Sequence, residues 1–330
     1  MESLRAILDA LRTASRRDRR SLWSFSTNNL FLATLLLGIA GAFFWCLMAL
    51  ALLFPLMSDP LQQIPEERLR LWPLTSRERI ALHWLTPWLN PMTWAFALIA
   101  LWGVVQGMPV FALVVVLIPL AGILASWIPT GLSRTLWRAV PAFPGVFGAL
   151  IRKDLREILS TLDFWAALAL SGSCLFYRVF VGRLPDDALM MCSIFVVLAL
   201  SSWSQSSFGL DGREGLVRYH LLPLGGWQIF AAKGAAFLLV VTLLALPLSL
   251  PSAWAAALAA LAVGNVASLR LIPQKRWRFS RGSNIFDSVA QIVFLVAAGG
   301  AAYRISAIVL LPGFLLFLVS TYWSGRRLFG

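Results

Sequence analysis

The chain has 330 residues, 59% of them apolar, with a mean hydropathy of +0.78 and a formal charge of +13. Soluble domains are nearer half apolar and lack repeated apolar runs of about 20 residues, while a membrane barrel would show short alternating strands. The composition therefore points to an all-α, polytopic helical membrane protein of about eight to ten spans.

Residues 3–12 place Leu4, Ile7, Leu8 and Leu11 on one helical face, as in a helix lying on a membrane surface. Arg16, Arg17, Arg19 and Arg20 follow, making this segment too long and too charged for a cleavable signal peptide. The first apolar run, Leu30 to Met57, would be about 42 Å long as one helix. That exceeds one span and falls short of two, so the run is either one long tilted span, which would put the arginine-rich N-terminus outside, or a compressed hairpin turning near Gly38–Gly41, which the positive-inside rule favours. A polar loop follows at 58–92, then a span pair within 93–128 hinged at Gly107-Met108-Pro109, the first of the pair starting near Ile80. Residues 129–148 are rich in proline and glycine and mark the best internal boundary, dividing a partial module (1–148) from a second module (149–330).

The second module opens on an amphipathic lead-in helix at 150–159, with Ile151, Leu155, Ile158 and Leu159 on one face. Six spans are expected at 162–181, 188–205, 229–250, 252–269, 285–302 and 305–323. With the C-terminal Arg326-Arg327 and the N-terminus placed in the cytoplasm, 25 of the 28 Lys and Arg are cytoplasmic; Arg178, Arg183 and Arg304 are not. That skew is what the positive-inside rule requires, so the basic charge reads as topology and contact with anionic membrane lipids, with no nucleic-acid role. Tryptophans such as Trp72, Trp84, Trp88, Trp203, Trp227 and Trp323 read as interfacial anchors.

Between two apolar runs lies a polar island, Phe208 to Lys233. Asp211 and Glu214 have the spacing of a capping box, and a short helix is expected to end before Leu222-Pro223. The segment Leu222–Ala231 echoes Trp72–Ala81, with Pro223 and Pro73 separated by 150 residues. Both loops precede a pair of spans and follow an amphipathic helix, which points to a degenerate duplication.

The sequence offers little that reads as a catalytic constellation. His83 and His220 are the two histidines, and no HExxH, P-loop or CxxC pattern occurs. Cys46, Cys174 and Cys192 read as packing residues. Ser171-Gly172-Ser173 reads as close helix packing, since no span carries a histidine to activate a serine. Arg178, Lys233 and Asp287 sit near expected span ends, where snorkelling would explain them, and mid-span Thr242, Asn265 and Gln291 are neutral. A chain without buried ion-coupling charges or an ATP site of its own would, if it transports, draw energy from a partner.

The lead-in IRKDLREIL, two spans, the loop from Asp211-Gly212-Arg213-Glu214-Gly215 to Leu222-Pro223-Leu224, then Gln228-Ile229 and Ala232-Lys233 before four more spans together resemble the permease subunit of type-two ABC transporters. The resemblance covers about residues 149–330, and the first half resembles part of the other module of larger permeases. It implies an exporter of the bacterial inner membrane whose partner, a separate P-loop ATPase, holds ATP and Mg. It also implies pairing as a homodimer or with a second permease chain. No catalytic, cofactor or metal residue is implied on this chain. The residues implied in coupling are Asp211, Gly212, Arg213, Glu214, Val217, Arg218, Leu221, Leu222 and Pro223. A secondary coupling loop would use Arg68, Pro73, Leu74, Arg77 and Glu78, and the lead-in helix Arg152, Lys153, Asp154, Arg156 and Glu157. Two other readings compete. A lipid-modifying membrane enzyme would draw on Asp59, Glu66, Glu67, Glu78 and His83; a non-transporting assembly subunit would leave the same sequence.

Overall fold

The computed structural model describes residues 7–13, 28–39, 61, 71–72, 74–89, 91–106, 132–274 and 276–329. They form helices and turns, with no strand among the described residues. The chain divides into two compact units, Met1–Ser26 with Phe31–Leu132, and Thr27–Leu30 with Ser133–Gly330.

In the first unit residues 7–13 are helical, and Leu11 is buried with Leu61, Leu74 and Leu82. Helix α1 (Asn29–Ile39) opens the first apolar run; its first two residues belong to the second unit and the rest to the first. Helix α2 (Ser76–Leu85) stops where Thr86 precedes Pro87, and a 3-10 turn (Thr86–Leu89) leads into α3 (Pro91–Val105) with proline at its start. Of the hairpin turn expected at Gly38–Gly41, Gly38 and Ile39 are still helical in α1, while residues 40–41, the span at 109–128, Arg68 and Pro73 lie outside the described residues.

The second unit holds α4 (Leu132–Ala139), α5 (Gly145–Leu159), α6 (Leu162–Phe180), α7 (Asp186–Gln205), α8 (Gly212–His220), α9 (Gly226–Ala245), α10 (Leu250–Ser268), α11 (Ile285–Arg304) and α12 (Leu310–Phe329). The connector expected at 129–148 is partly helix. Gly145, at φ 73, turns the chain after Pro144, so the lead-in helix starts five residues ahead of the expected 150.

Helices α7, α9, α10 and α11, and Ala307–Leu328 containing α12, are long and apolar enough to cross a membrane. Helix α6 reaches that standard only together with α5, from which it is bent by 75°. The bend is locally encoded. Ser160 and Thr161 hydroxyls donate to the Glu157 and Ile158 carbonyls at 2.7 and 2.8 Å, and the Leu162 N–H leaves the ladder for the Arg278 carbonyl at 3.0 Å.

Alanine-rich α10 packs against α7, α9, α11 and α12. Its small residues let backbones approach, which is how helices associate without a hydrophobic driving force in lipid. A Cβ on Gly264 would lie 2.1 Å from Ser204 Oγ. Gly264→Leu is therefore expected to separate α7 from α10 and lower the melting temperature in detergent, with Gly300→Leu, which faces open space, as the neutral comparison.

The mid-span polar groups are spent inside this bundle. Gln291 is fully buried, accepting from Gln205 at 2.7 Å and donating to Ser204 at 2.8 Å. Asn265 donates to Thr321 at 3.0 Å. The short segment 28–30 is held in the same bundle. Asn29 donates to Ser201 Oγ at 2.7 Å and Asn28 to the Ser280 carbonyl at 2.8 Å, beside the buried Asp163. These bonds satisfy groups whose burial would otherwise cost several kcal/mol each, about 2–7 by transfer scales.

Candidate functional site

Helices α5, α8 and α9 meet at one end of the second unit, over an apolar floor of Leu150, Phe208, Tyr219, Ile229, Phe230 and Ala232. Phe208 meets Tyr219 and Phe230 edge to face at 5.9 and 5.2 Å. Above it lies a cluster of charges from all three elements.

Lys233, about two turns into α9, is 2% exposed. Its ammonium donates to Asp154 Oδ1 at 3.0 Å and to the Ser207 carbonyl at 2.7 Å, stands 3.6 Å from Asp211 Oδ2, and sits 4.6 Å from the Phe208 ring centre. Lys153 bonds Asp211, reaches Glu157 at 2.9 Å and donates to Tyr219 Oη at 2.7 Å. Tyr219 in turn donates to Asp211 Oδ2 at 2.7 Å. Asp211, just ahead of α8, is thus tied at once to α5, to α8 and to the root of α9.

Two expectations need correction here. Asp211 makes no capping bond to α8; its carboxylate is spent on Lys153 and Tyr219, so the capping-box reading with Glu214 fails. Lys233 does not snorkel to water; it is enclosed and paired with Asp154. Tyr219 was absent from the expected residues.

The electrostatics follow from the enclosure. Burial works against the charge on Asp211, but Lys233 and Lys153 outweigh it and hold the carboxyl below its usual value. Burial, with Asp154 adding to it against the two lysines, pushes the Tyr219 phenol up to about 12. Glu157 lies on the amphipathic α5, ahead of the bend into α6, and burial pushes it up to about 7 against the pull of Lys233 and Lys153. Its Oε2 is buried without a hydrogen-bond partner.

The remaining expected residues face outward. Val217 and Leu221 are 61% and 80% exposed, and Gly212, Arg218 and Pro223 are also exposed, whereas Leu222 packs partly against the apolar floor. Arg213 and Glu214 fall on α8, with side chains outside the described residues. On α5, Lys153, Asp154 and Glu157 enter the cluster, while Arg152 and Arg156 do not.

The earlier loop repeats part of this plan. Helix α2 begins at Ser76 and α9 at Gly226, 150 residues on. Glu78 accepts from the Thr75 N–H at 3.0 Å, and Gln228 accepts from the Gly225 N–H at 2.8 Å, at matching positions. Leu74 and Trp72 join Ile7 and Leu8 of the helix at 7–13, as Leu224 and Leu222 join Leu150 and Ile151 of α5. Arg77 lies exposed on α2. Leu11 is the buried residue of the first helix, and its surroundings are apolar.

Comparisons with family models, curated proteins and solved structures find no match. Among the described residues no group of His, Cys, Asp and Glu could hold a metal ion.

Proposed function

We propose that the chain is the membrane-spanning permease subunit of an ATP-driven ABC transporter working as an exporter, with α8 and its flanks receiving the motion of a separate ATPase. The observation that carries this reading is the charge cluster. It ties α8 to α5 and to the root of α9, while Val217 and Leu221 project from the opposite side of α8. A push on the outward face passes through Asp211 to Lys153 and Lys233, and so to an apolar helix of spanning length. A loosely attached loop would dissipate such a push.

The loop around α2, capped by Thr75 and Glu78, is the proposed second point of contact. The cytoplasm is the compartment proposed for this end of the bundle, because the membrane topology that puts it there also puts 25 of the 28 Lys and Arg on the cytoplasmic side. ATP and Mg would bind the partner. Substrate would pass between permease modules of a homodimer or of two different chains.

The test is affinity purification of the tagged chain from its native host, with ATPase in the eluate as the readout. A P-loop ATPase is expected with the parent chain and is expected to be lost with Val217→Glu plus Leu221→Glu. Both side chains are exposed, so the melting temperature of the double variant should match the parent. Undiminished ATPase recovery with the double variant would remove α8 from the coupling role.

A further inference from the structure

A second charged face lies beside the cluster, and it holds cations without carboxylates. Helix α4 docks on α5 where Arg156 Nη2 donates to the Trp137 carbonyl at 3.3 Å. Trp137 stacks on Trp277, with ring centres 6.2 Å apart and planes at 22°, and the Arg276 guanidinium stands 5.6 Å from the Trp137 ring. Arg152 lies one turn before Arg156 on α5. Among the described residues, no carboxylate pairs with Arg138, Arg152, Arg156 or Arg276.

Two further observations mark this face as built for a ligand. Arg152 Nε, Arg156 Nε and Trp137 Nε1 are buried donors with no acceptor. Unpartnered buried donors cost about 1–3 kcal/mol each, so a fold that gathers three on neighbouring side chains leaves an acceptor to be supplied. Trp277, moreover, stands at φ 61, a conformation uncommon for a bulky residue. It is pinned there by its N–H on the Ser160 carbonyl at 2.6 Å, with the neighbouring Arg278 carbonyl accepting from Leu162. The strained loop thus holds Trp277 and Arg276 against Trp137 at the break between α5 and α6.

We infer that this face binds the phosphate of an anionic phospholipid headgroup. Guanidinium forks match phosphate oxygens two at a time, and the Trp137 N–H adds a neutral donor. Tryptophan pairs and arginines at the end of spanning helices occupy the depth at which headgroups lie. A turn of the Arg152 and Arg156 side chains would bring their Nε edges to the phosphate. The occupied face would fix α4 on α5, and with it the helix that carries Lys153, Asp154 and Glu157. This inference needs only a membrane location and stands apart from the choice of ATPase partner.

The experiment uses the full chain, delipidated in neutral detergent, and reads the melting temperature as lipid is added. Phosphatidylglycerol should raise it saturably, and phosphatidylcholine should not. Arg156→Gln with Arg276→Gln should weaken the phosphatidylglycerol response about tenfold or more in half-saturating concentration, given roughly 1 kcal/mol per basic residue near an anionic surface. Trp137→Phe keeps the stacked ring and removes the donor, and should weaken the response by a smaller factor even if the double arginine variant folds poorly. Arg304→Gln, at the other end of the bundle, should respond as the parent does. An equal response in Trp137→Phe and in the double variant would overturn the site. A full response to inorganic phosphate alone would overturn the lipid as its source.

Discussion

Replacing Lys233 with methionine is expected to cost the chain about 3–5 kcal/mol, the usual penalty for removing one partner of a buried ion pair. The side chain is 2% exposed and its ammonium is shared by Asp154, the Ser207 carbonyl and Asp211. Methionine fills similar space but leaves the Asp154 carboxylate, itself 1% exposed, facing only Lys153 at 3.9 Å. The loss therefore comes from a stranded charge more than from a missing contact. Two consequences separate these causes. Lys233→Met combined with Asp154→Leu should recover most of the lost melting temperature, because an apolar pair of similar volume is often as stable as a buried ion pair. Under the proposed coupling role, the same double variant should still recover less ATPase on affinity purification or couple it poorly, because Asp211 then keeps its ties to α5 and α8 and loses the one to α9. If Lys233→Met melts with the parent, the enclosed pair is not what fastens these helices.

The helices were largely legible and the cluster was not. Apolar runs in the second module fell within a few residues of α6, α7, α9, α10, α11 and α12, because each is bounded by proline, glycine or charge that a span cannot absorb. The short helix α8 was visible from the residue-before-proline restriction at Leu222-Pro223. What failed was the partner of each polar side chain. Asp211 and Glu214 have capping spacing, yet capping is worth only about 1 kcal/mol, and two nearby lysines compete for the same carboxylate. One signal was available. Asp154 stands between Ile151, Leu155 and Ile158, at the spacing of the apolar face of α5, where a carboxylate needs a buried cation. Lys233, one lysine in the apolar start of α9, was the candidate nearest to hand. The bond from Asn29 to Ser201, across 172 residues, left no local trace in the sequence.

Acidity should tighten this joint, through Glu157 and also through Asp154, whose carboxyl burial likewise holds above its usual value. The groups facing Glu157 are Lys153 and Asp154 on α5, Asp211 just ahead of α8, and Lys233 on α9. Three carboxyl groups share two ammoniums, so one carboxyl is in excess. Burial, opposed by Lys233 and Lys153, moves the Glu157 carboxyl from the ordinary 4.5 up to about 7. Below pH 4.5 Glu157 is protonated both folded and unfolded and leaves stability unchanged. As pH rises from there, the unfolded chain gives up its proton first, so stability falls until pH passes about 7 and then levels off. The loss amounts to about 3 kcal/mol at most, at 1.36 kcal/mol per unit. Asp211 acts in the opposite sense. Its carboxyl is held below 3.8, so its contribution is complete above that value and disappears in stronger acid. The parent should accordingly be most stable on the acid side of neutrality. Glu157→Gln keeps a side chain that Lys153 can still bond and removes the excess charge. It should melt with the parent at pH 4.5, melt above it at pH 8, and show a flatter profile between. A parallel pair of profiles would mean that Glu157 carries its charge in the fold throughout, with the proton placed on another group of the cluster.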